Sequence, residues 1–112
     1  MSLNSSSKYK NRKVETADGK FDSVKEYRRW VELKALERSG RISDLRRQVS
    51  YTLVASQATS SGRERPVKYI ADFVYEKDGK TVVEDTKGVK TPEYVIKRKL
   101  MLYFYGIEIQ EM

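Results

Sequence analysis

The pair Asp78-Gly79 constrains this chain more than any other feature, because it stands between two runs of β-favouring residues, Val67 to Glu76 and Thr81 to Lys87. Asp-Gly suits the tight turn whose two central residues are both left-handed, and that turn matches the twist of a β-hairpin. A two-residue loop puts Lys77 opposite Lys80, and counting back along both strands puts Asp72 opposite Asp85. A four-residue loop keeps this register, whereas a three-residue loop slips it by one. Directly opposed residues share a face of the sheet, with Cβ atoms about 4.5–5.5 Å apart. Two carboxylates are therefore expected to converge, an arrangement that a divalent cation between them makes tolerable. Lys87 lies two residues beyond Asp85, so alternation points its ammonium to the same face.

Around this hairpin the other elements follow from periodicity. Residues 1–13, with Ser5 to Ser7 and then Lys8, Lys10, Arg12 and Lys13, are expected to be a flexible basic N-terminal arm, and 14–112 a single domain. Asp18-Gly19 marks a small hairpin within Val14 to Phe21. From Ser23 to about Ser39, Val24, Tyr27, Trp30, Val31 and Leu33 recur at helical spacing, and Gly40 is the stop. Leu45 to Val54 alternates as a strand, and Ala55 to Arg65 is a polar loop. Thr91-Pro92-Glu93 opens a second helix with a cap, an initial proline and an early acid; Ile96, Leu100 and Tyr103 make its buried stripe, and Gly106 ends it. Ile107 to Ile109 is a short last strand. The order α, β, β, β, α, β predicts an α/β (α+β) fold, a mixed central sheet flanked by two helices.

Composition then limits the chemistry. The 112 residues include no histidine and no cysteine. That excludes disulfides, Ser-His and Cys-His catalysis, and every imidazole- or thiolate-held metal, so a bound metal must be held by oxygen and is Mg²⁺ or Mn²⁺. No apolar run approaches a membrane span and no signal peptide opens the chain, which predicts a soluble cytoplasmic protein without membrane contact. The net charge is +7. An acidic island, holding Asp72, Glu76, Asp78, Glu84 and Asp85, interrupts an otherwise basic sequence. A basic surface is the footprint of a polyanion-binding protein, here DNA. Lys97, Arg98 and Lys99 on the second helix, and Arg28 and Arg29 on the first, are candidate phosphate contacts, although a solvated helix face explains each as well.

The first helix supplies one further acid. Glu26 lies one turn before Trp30, within the arc that should face the sheet. The Ser23-x-x-Glu26 spacing is also that of a capping box, and both roles stay open. Gln48, on the strand before the hairpin, could reach the same region.

Asp72, then Asp85-Thr86-Lys87 on the next strand, with Glu26 on the first helix of an αβββαβ order, resemble the PD-(D/E)XK nuclease superfamily, the restriction-endonuclease-like fold. Phe21-Asp22-Ser23, Tyr69-Ile70-Ala71-Asp72-Phe73 and Val83-Glu84-Asp85-Thr86-Lys87-Gly88 are similar to a phage-borne family of small uncharacterised proteins in that superfamily. The resemblance spans about residues 8 to 112. Ala71 stands where the superfamily's name puts proline, and strand alternation favours Asp85 over the adjacent Glu84 as the motif acid. The resemblance implies a metal-dependent DNA endonuclease acting on branched or recombining DNA. It further implies that Asp72, Asp85 and Glu26, with the backbone carbonyl of Thr86, hold Mg²⁺ or Mn²⁺ while Lys87 orients the attacking water. A phage or prophage setting, recombination proteins of phage or host, and a homodimer are the associations it suggests. A DNA-binding module without catalysis on the same fold is the alternative.

Overall fold

A computed structural model describes residues 13–86 and 89–112. The basic arm and Lys87 thus fall, apart from Lys13, outside the described residues. Ten elements follow one another: β1 (Val14–Thr16), β2 (Gly19–Phe21), α1 (Val24–Arg38), β3 (Ser43–Val54), β4 (Gln57–Thr59), β5 (Gly62–Glu64), β6 (Val67–Lys77), β7 (Lys80–Asp85), α2 (Pro92–Tyr105) and β8 (Gln110–Glu111). The main sheet has the order β3-β6-β7-β8. Its first three strands are antiparallel, and β8 joins parallel to β7. The α+β class and the αβββαβ order of the core are therefore as the sequence predicts.

Local chemistry accounts for the boundaries. Asp78 and Gly79 have φ of 52° and 78°, and Lys77 pairs with Lys80, so the central hairpin takes the expected register. Ser23 caps α1, its hydroxyl accepting from the Glu26 N–H at 3.0 Å. Thr91 does the same for α2, accepting from the Tyr94 N–H at 3.1 Å, with Pro92 at the first position. Gly106 closes α2 at φ 67°, a conformation that glycine reaches without Cβ strain.

The two helices cover opposite faces. Leu33 of α1 packs with Ile42, Phe73 and Tyr75, joined by Trp30, Leu36, Leu45 and Val82. Tyr94 and Met101 of α2 pack with Leu53, Tyr69, Ala71, Val74, Val83 and Ile109. Strict alternation along β6 would put Ala71 and Phe73 on one face, yet they belong to opposite cores. Val49 and Leu45 of β3 divide in the same way. The parity of both strands changes between these residues, at Gln48 and Asp72, and Gln48 has φ 52°, a left-handed value that turns the strand.

Several expectations need correction. The segment Ala55 to Arg65 is not merely a loop: β4 and β5 form a hairpin, with Gln57 opposite Glu64. The last strand is Gln110–Glu111, and Ile109 is instead a core residue before it. On α1, Val24 and Val31 are 41% and 46% exposed, because the helix buries a narrow line through Glu26 and Leu33. On α2, Ile96 and Tyr103 are 59% and 80% exposed, while Tyr94 and Met101 are buried. That face of α2 packs on Leu53, Tyr69, Val74, Val83 and Ile109, and Glu111 on β8 supports it by accepting from the Tyr94 hydroxyl at 2.7 Å and from Arg98 Nη1 at 2.9 Å.

Candidate functional site

The switch at Gln48 and Asp72 determines which acids meet. With both strands turned there, Gln48 and Asp72 come to the α1 side, where the first turn of α1 places Glu26. Gln48 Nε2 donates to Glu26 Oε2 at 3.1 Å and to Asp72 Oδ1 at 3.4 Å. The other oxygen of Asp72 is fixed twice, accepting from the Thr86 N–H and from the Thr86 hydroxyl, each at 2.8 Å. Glu26, Gln48, Asp72 and Thr86 thus form one connected group, drawn from α1, β3, β6 and the residue that follows β7.

Glu26 divides its two oxygens between two roles. Oε1 accepts from the Asp22 N–H at 3.2 Å, completing the start of the helix, while Oε2 turns to Gln48. The side chain is buried, at 2% exposure. Burial, and next the charge of Asp72, raise its pKa, whereas the Asp22 N–H and the Arg47 guanidinium act in the opposite direction. A buried carboxylate beside a second carboxylate is a point of concentrated negative potential.

Asp85 lies differently from expectation. The β6–β7 ladder ends at Phe73 opposite Glu84, one step before the Asp72–Asp85 pair. Asp85 is buried and accepts from the Tyr69 hydroxyl at 2.7 Å, on the α2 side of the sheet. Burial and this bond raise the pKa of the Tyr69 hydroxyl, and the charges of both Asp85 and Asp72 contribute. The simple opposed pair predicted from the hairpin register is therefore replaced by two carboxylates on either side of a strand switch. Neighbouring Glu84 points to the α1 side, where Arg29 Nε and Nη2 donate at 2.8 and 2.6 Å and the Tyr75 hydroxyl at 2.5 Å. That commitment ties Glu84 to Arg29 and Tyr75 and separates it from the Gln48 group.

The candidate phosphate contacts also divide. Arg29 is held by Glu84 and, through Nη1, by Glu32. Lys97 pairs with Glu93 at 2.9 Å and Arg98 with Glu111 at 2.9 Å. Arg28 and Lys99 are exposed and have no ion-pair partner among the described residues. Sequence reasoning missed Arg47. Its guanidinium lies 3.6 Å from the Phe21 ring centroid, its Nη2 donates to the Lys20 carbonyl at 2.7 Å, and the same nitrogen stands 3.9 Å from Glu26 Oε2. Its place beside Gln48 was the available signal, but alternation assigns neighbours to opposite faces and the switch cancels that rule.

All the donors facing Gln48 are oxygens, a set suited to a hard cation such as Mg²⁺. Among the described residues no group of three or more acidic side chains stands close enough to hold a metal ion. Mg²⁺ ordinarily needs only one or two carboxylates, completing its shell with water and substrate phosphate. Glu26 and Asp72 meet that requirement. No helix among the described residues is long and apolar enough to cross a membrane.

Among known families, the one described as "Protein of unknown function (DUF1064)" matches residues 6–110, and the chain belongs to it. Neither the curated proteins nor the solved structures yield a match.

Proposed function

We propose that this member of a family of unknown function is a metal-dependent endodeoxyribonuclease of the PD-(D/E)XK type, with branched or recombining DNA as its substrate. One observation carries the reading: Glu26 and Asp72, from a helix start and a central strand, are drawn to the same amide nitrogen of Gln48, beside the end of β7. Two carboxylates so placed, one of them buried, disfavour each other's ionisation, and a bound cation would relieve that repulsion.

Glu26 and Asp72 would hold the cation, with the Thr86 carbonyl as a further oxygen. The bound ion would neutralise charge on the scissile phosphate and on the leaving oxygen. Thr86 holds Asp72 Oδ2 by two hydrogen bonds and so leaves Oδ1 as the oxygen directed at Gln48. Gln48 keeps the two carboxylates in register with each other. Lys87 follows Thr86 directly in the chain, and its ammonium would orient the attacking water and meet developing negative charge. Arg28 and Lys99, exposed on the two helices, are the remaining predicted cations that would contact phosphates.

The alternative, a DNA-binding module without catalysis, draws support from Asp85, which is engaged with Tyr69 and not turned to Gln48. Cleavage of linear, nicked, flap and four-way-junction DNA with and without Mg²⁺ separates the two. The nuclease reading expects Mg²⁺-dependent cleavage that Asp72→Ala and Lys87→Ala each abolish while DNA binding persists and circular dichroism stays unchanged. Cleavage surviving in both variants refutes the site, and binding without cleavage in the unmodified protein favours the alternative.

A further inference from the structure

Beyond the carboxylates, the α1 side of the sheet lies open. Val49, Tyr51, Leu53, Tyr69 and Ala71 turn to the α2 core, so alternation turns Ser50, Thr52, Lys68 and Ile70 to the other face. All four are exposed, Ile70 by 53%. Ser50 stands opposite Ile70 and Thr52 opposite Lys68, and these two rows lead away from Gln48 and Asp72, each about 7 Å beyond the last. Past the second row, β4 and β5 form a separate two-stranded ribbon, with Ala58 opposite Arg63. Every residue from Ala55 to Lys68 is exposed, and none joins either core. Backbone pairing and polar side chains hold the ribbon in shape: the Thr59 hydroxyl donates to the Gly62 carbonyl at 3.0 Å and accepts from the Ser61 N–H at 3.3 Å, and Arg63 Nη1 donates to the Ser56 hydroxyl at 2.9 Å.

Shape and charge both match this open face to a DNA duplex. A two-stranded ribbon fits the major groove of B-form DNA, about 12 Å wide. The stretch from Gln48 to the ribbon tip at Thr59 spans up to about 36 Å at about 3.3 Å per residue, close to one turn of duplex at about 34–36 Å. Arg63, Arg65 and Lys68 form no ion pair among the described residues. Glu64 is the only acid from Ser50 to Ala71, and alternation sets it on the opposite face of the ribbon from Arg63 and Arg65. We infer, on the premise that DNA is the partner as proposed above, that the duplex lies along this face with the β4–β5 ribbon in its major groove. Arg63, Arg65 and Lys68 meet phosphates, the hydroxyls of Ser50 and Thr52 bond to the nucleic-acid backbone, and the ribbon grips the duplex about one turn from Glu26 and Asp72. Contacts of this kind position a duplex without reading its sequence. Both the nuclease and the non-catalytic reading share that premise, so the track does not depend on cleavage.

Replacing residues 56–65 by Asn-Gly joins β3 to β6 through a tight turn and, because the ribbon lies outside both cores, should leave the melting temperature unchanged. With chelator present to stop cleavage, the affinity of this shortened chain for a duplex of about two turns should fall at least tenfold by fluorescence anisotropy. Arg63→Ala combined with Arg65→Ala keeps the ribbon and should lower the slope of log K against log salt by about two. Lys77→Ala combined with Lys80→Ala removes the same charge at the opposite end of β6 and should leave the slope unchanged. That pair of double variants decides the matter should the shortened chain fold poorly. Methyl green, a ligand of the major groove, should compete with the unmodified chain for DNA, and netropsin, a ligand of the minor groove, should not. Equal affinity with and without the ribbon, equal effects of the two double substitutions, or competition by netropsin in place of methyl green overturns the track while DNA binding itself stands. A chain that binds no duplex at low salt overturns both the track and the function proposed above.

Discussion

Replacing Arg29 by Met tests whether the Arg29–Glu84–Tyr75 group is a structural clamp. Glu84 is 1% exposed, so its carboxylate has no access to solvent and relies on Arg29 and Tyr75. Its bonds to Arg29 are the first cause of the raised guanidinium pKa, and burial followed by the bond to Glu84 pushes the Tyr75 hydroxyl up to about 12. Removing one partner of a buried ion pair costs about 3–5 kcal/mol. The Arg29 side chain is 21% exposed, which lowers its share, so Arg29→Met should cost about 2–4 kcal/mol. For a domain of this size that is a fall in melting temperature of about 8–15 °C. Tyr75→Phe, which removes one hydrogen bond to the carboxylate, should cost about 1–2 kcal/mol. The double variant Arg29→Met with Glu84→Leu removes both charges and should recover most of the loss, because a buried pair replaced by apolar groups is nearly neutral. Urea unfolding at pH 7 measures all three. An Arg29→Met protein within 1 kcal/mol of the unmodified chain, or a double variant that loses the sum of its single changes, would refute the clamp.

Glu111 is held down to about 2 from the usual 4.5, chiefly by the Tyr94 hydroxyl and then by Arg98 and Lys90. A depressed carboxyl stabilises the fold above its unfolded pKa and loses that contribution as pH falls from about 4.5 towards 2. The side chain is 26% exposed, so after solvent screening Glu111→Gln should cost about 1 kcal/mol at pH 7 and nothing near pH 2, as chemical denaturation at both values will show. Leu33→Ala, fully buried between α1 and the sheet, should cost about 2–5 kcal/mol; a loss below 1 kcal/mol in the same assay contradicts that core. DNA affinity should fall steeply with salt, and Arg28→Ala and Lys99→Ala should each reduce the slope of log K against log salt by about one. An unchanged slope in fluorescence titrations removes those residues from the contact surface.

Short-range chemistry made most of the fold legible. Asp78-Gly79 gave the hairpin register because its two residues accept positive φ, and Ser23, Thr91, Pro92 and Gly106 marked helix ends because each answers a specific backbone need. The rotation of α2 was not legible. Its sequence holds one stripe through Ile96, Leu100 and Tyr103 and another through Tyr94 and Met101, and periodicity alone cannot rank two stripes. The choice is made by distant residues: Tyr94 and Met101 meet Leu53, Tyr69, Val74, Val83 and Ile109 of the sheet side, and Glu111 adds hydrogen bonds to Tyr94 and Arg98. Similarly, the polar composition of Ala55 to Arg65 concealed a hairpin held by side-chain bonds to Thr59, which no hydrophobic alternation announces.

The candidate site was half legible for a related reason. Glu26, Asp72, Thr86 and Gln48 were all singled out as residues, but the geometry joining them depends on the one place where strand alternation fails. With alternation unbroken through β3 and β6, Gln48 would share a face with Arg46, and Asp72 with Val74, on the α2 side. The left-handed turn at Gln48 gives it and Arg47 the same face, and opposite them Asp72 shares that face with Phe73. Only that arrangement brings Asp72 across to Glu26 while Ala71 and Val74 still fill the other core. The same switch leaves Asp85 with Tyr69, since β7 keeps strict alternation while β6 does not. A non-glycine residue at φ 52° in a long strand is disfavoured, and here the cost is offset by the hydrogen bonds that Gln48 makes to both carboxylates. The irregularity in the sheet and the pairing of Glu26 with Asp72 are thus one structural event, and a change that restores regular alternation at position 48 should dissolve the site without touching either acid.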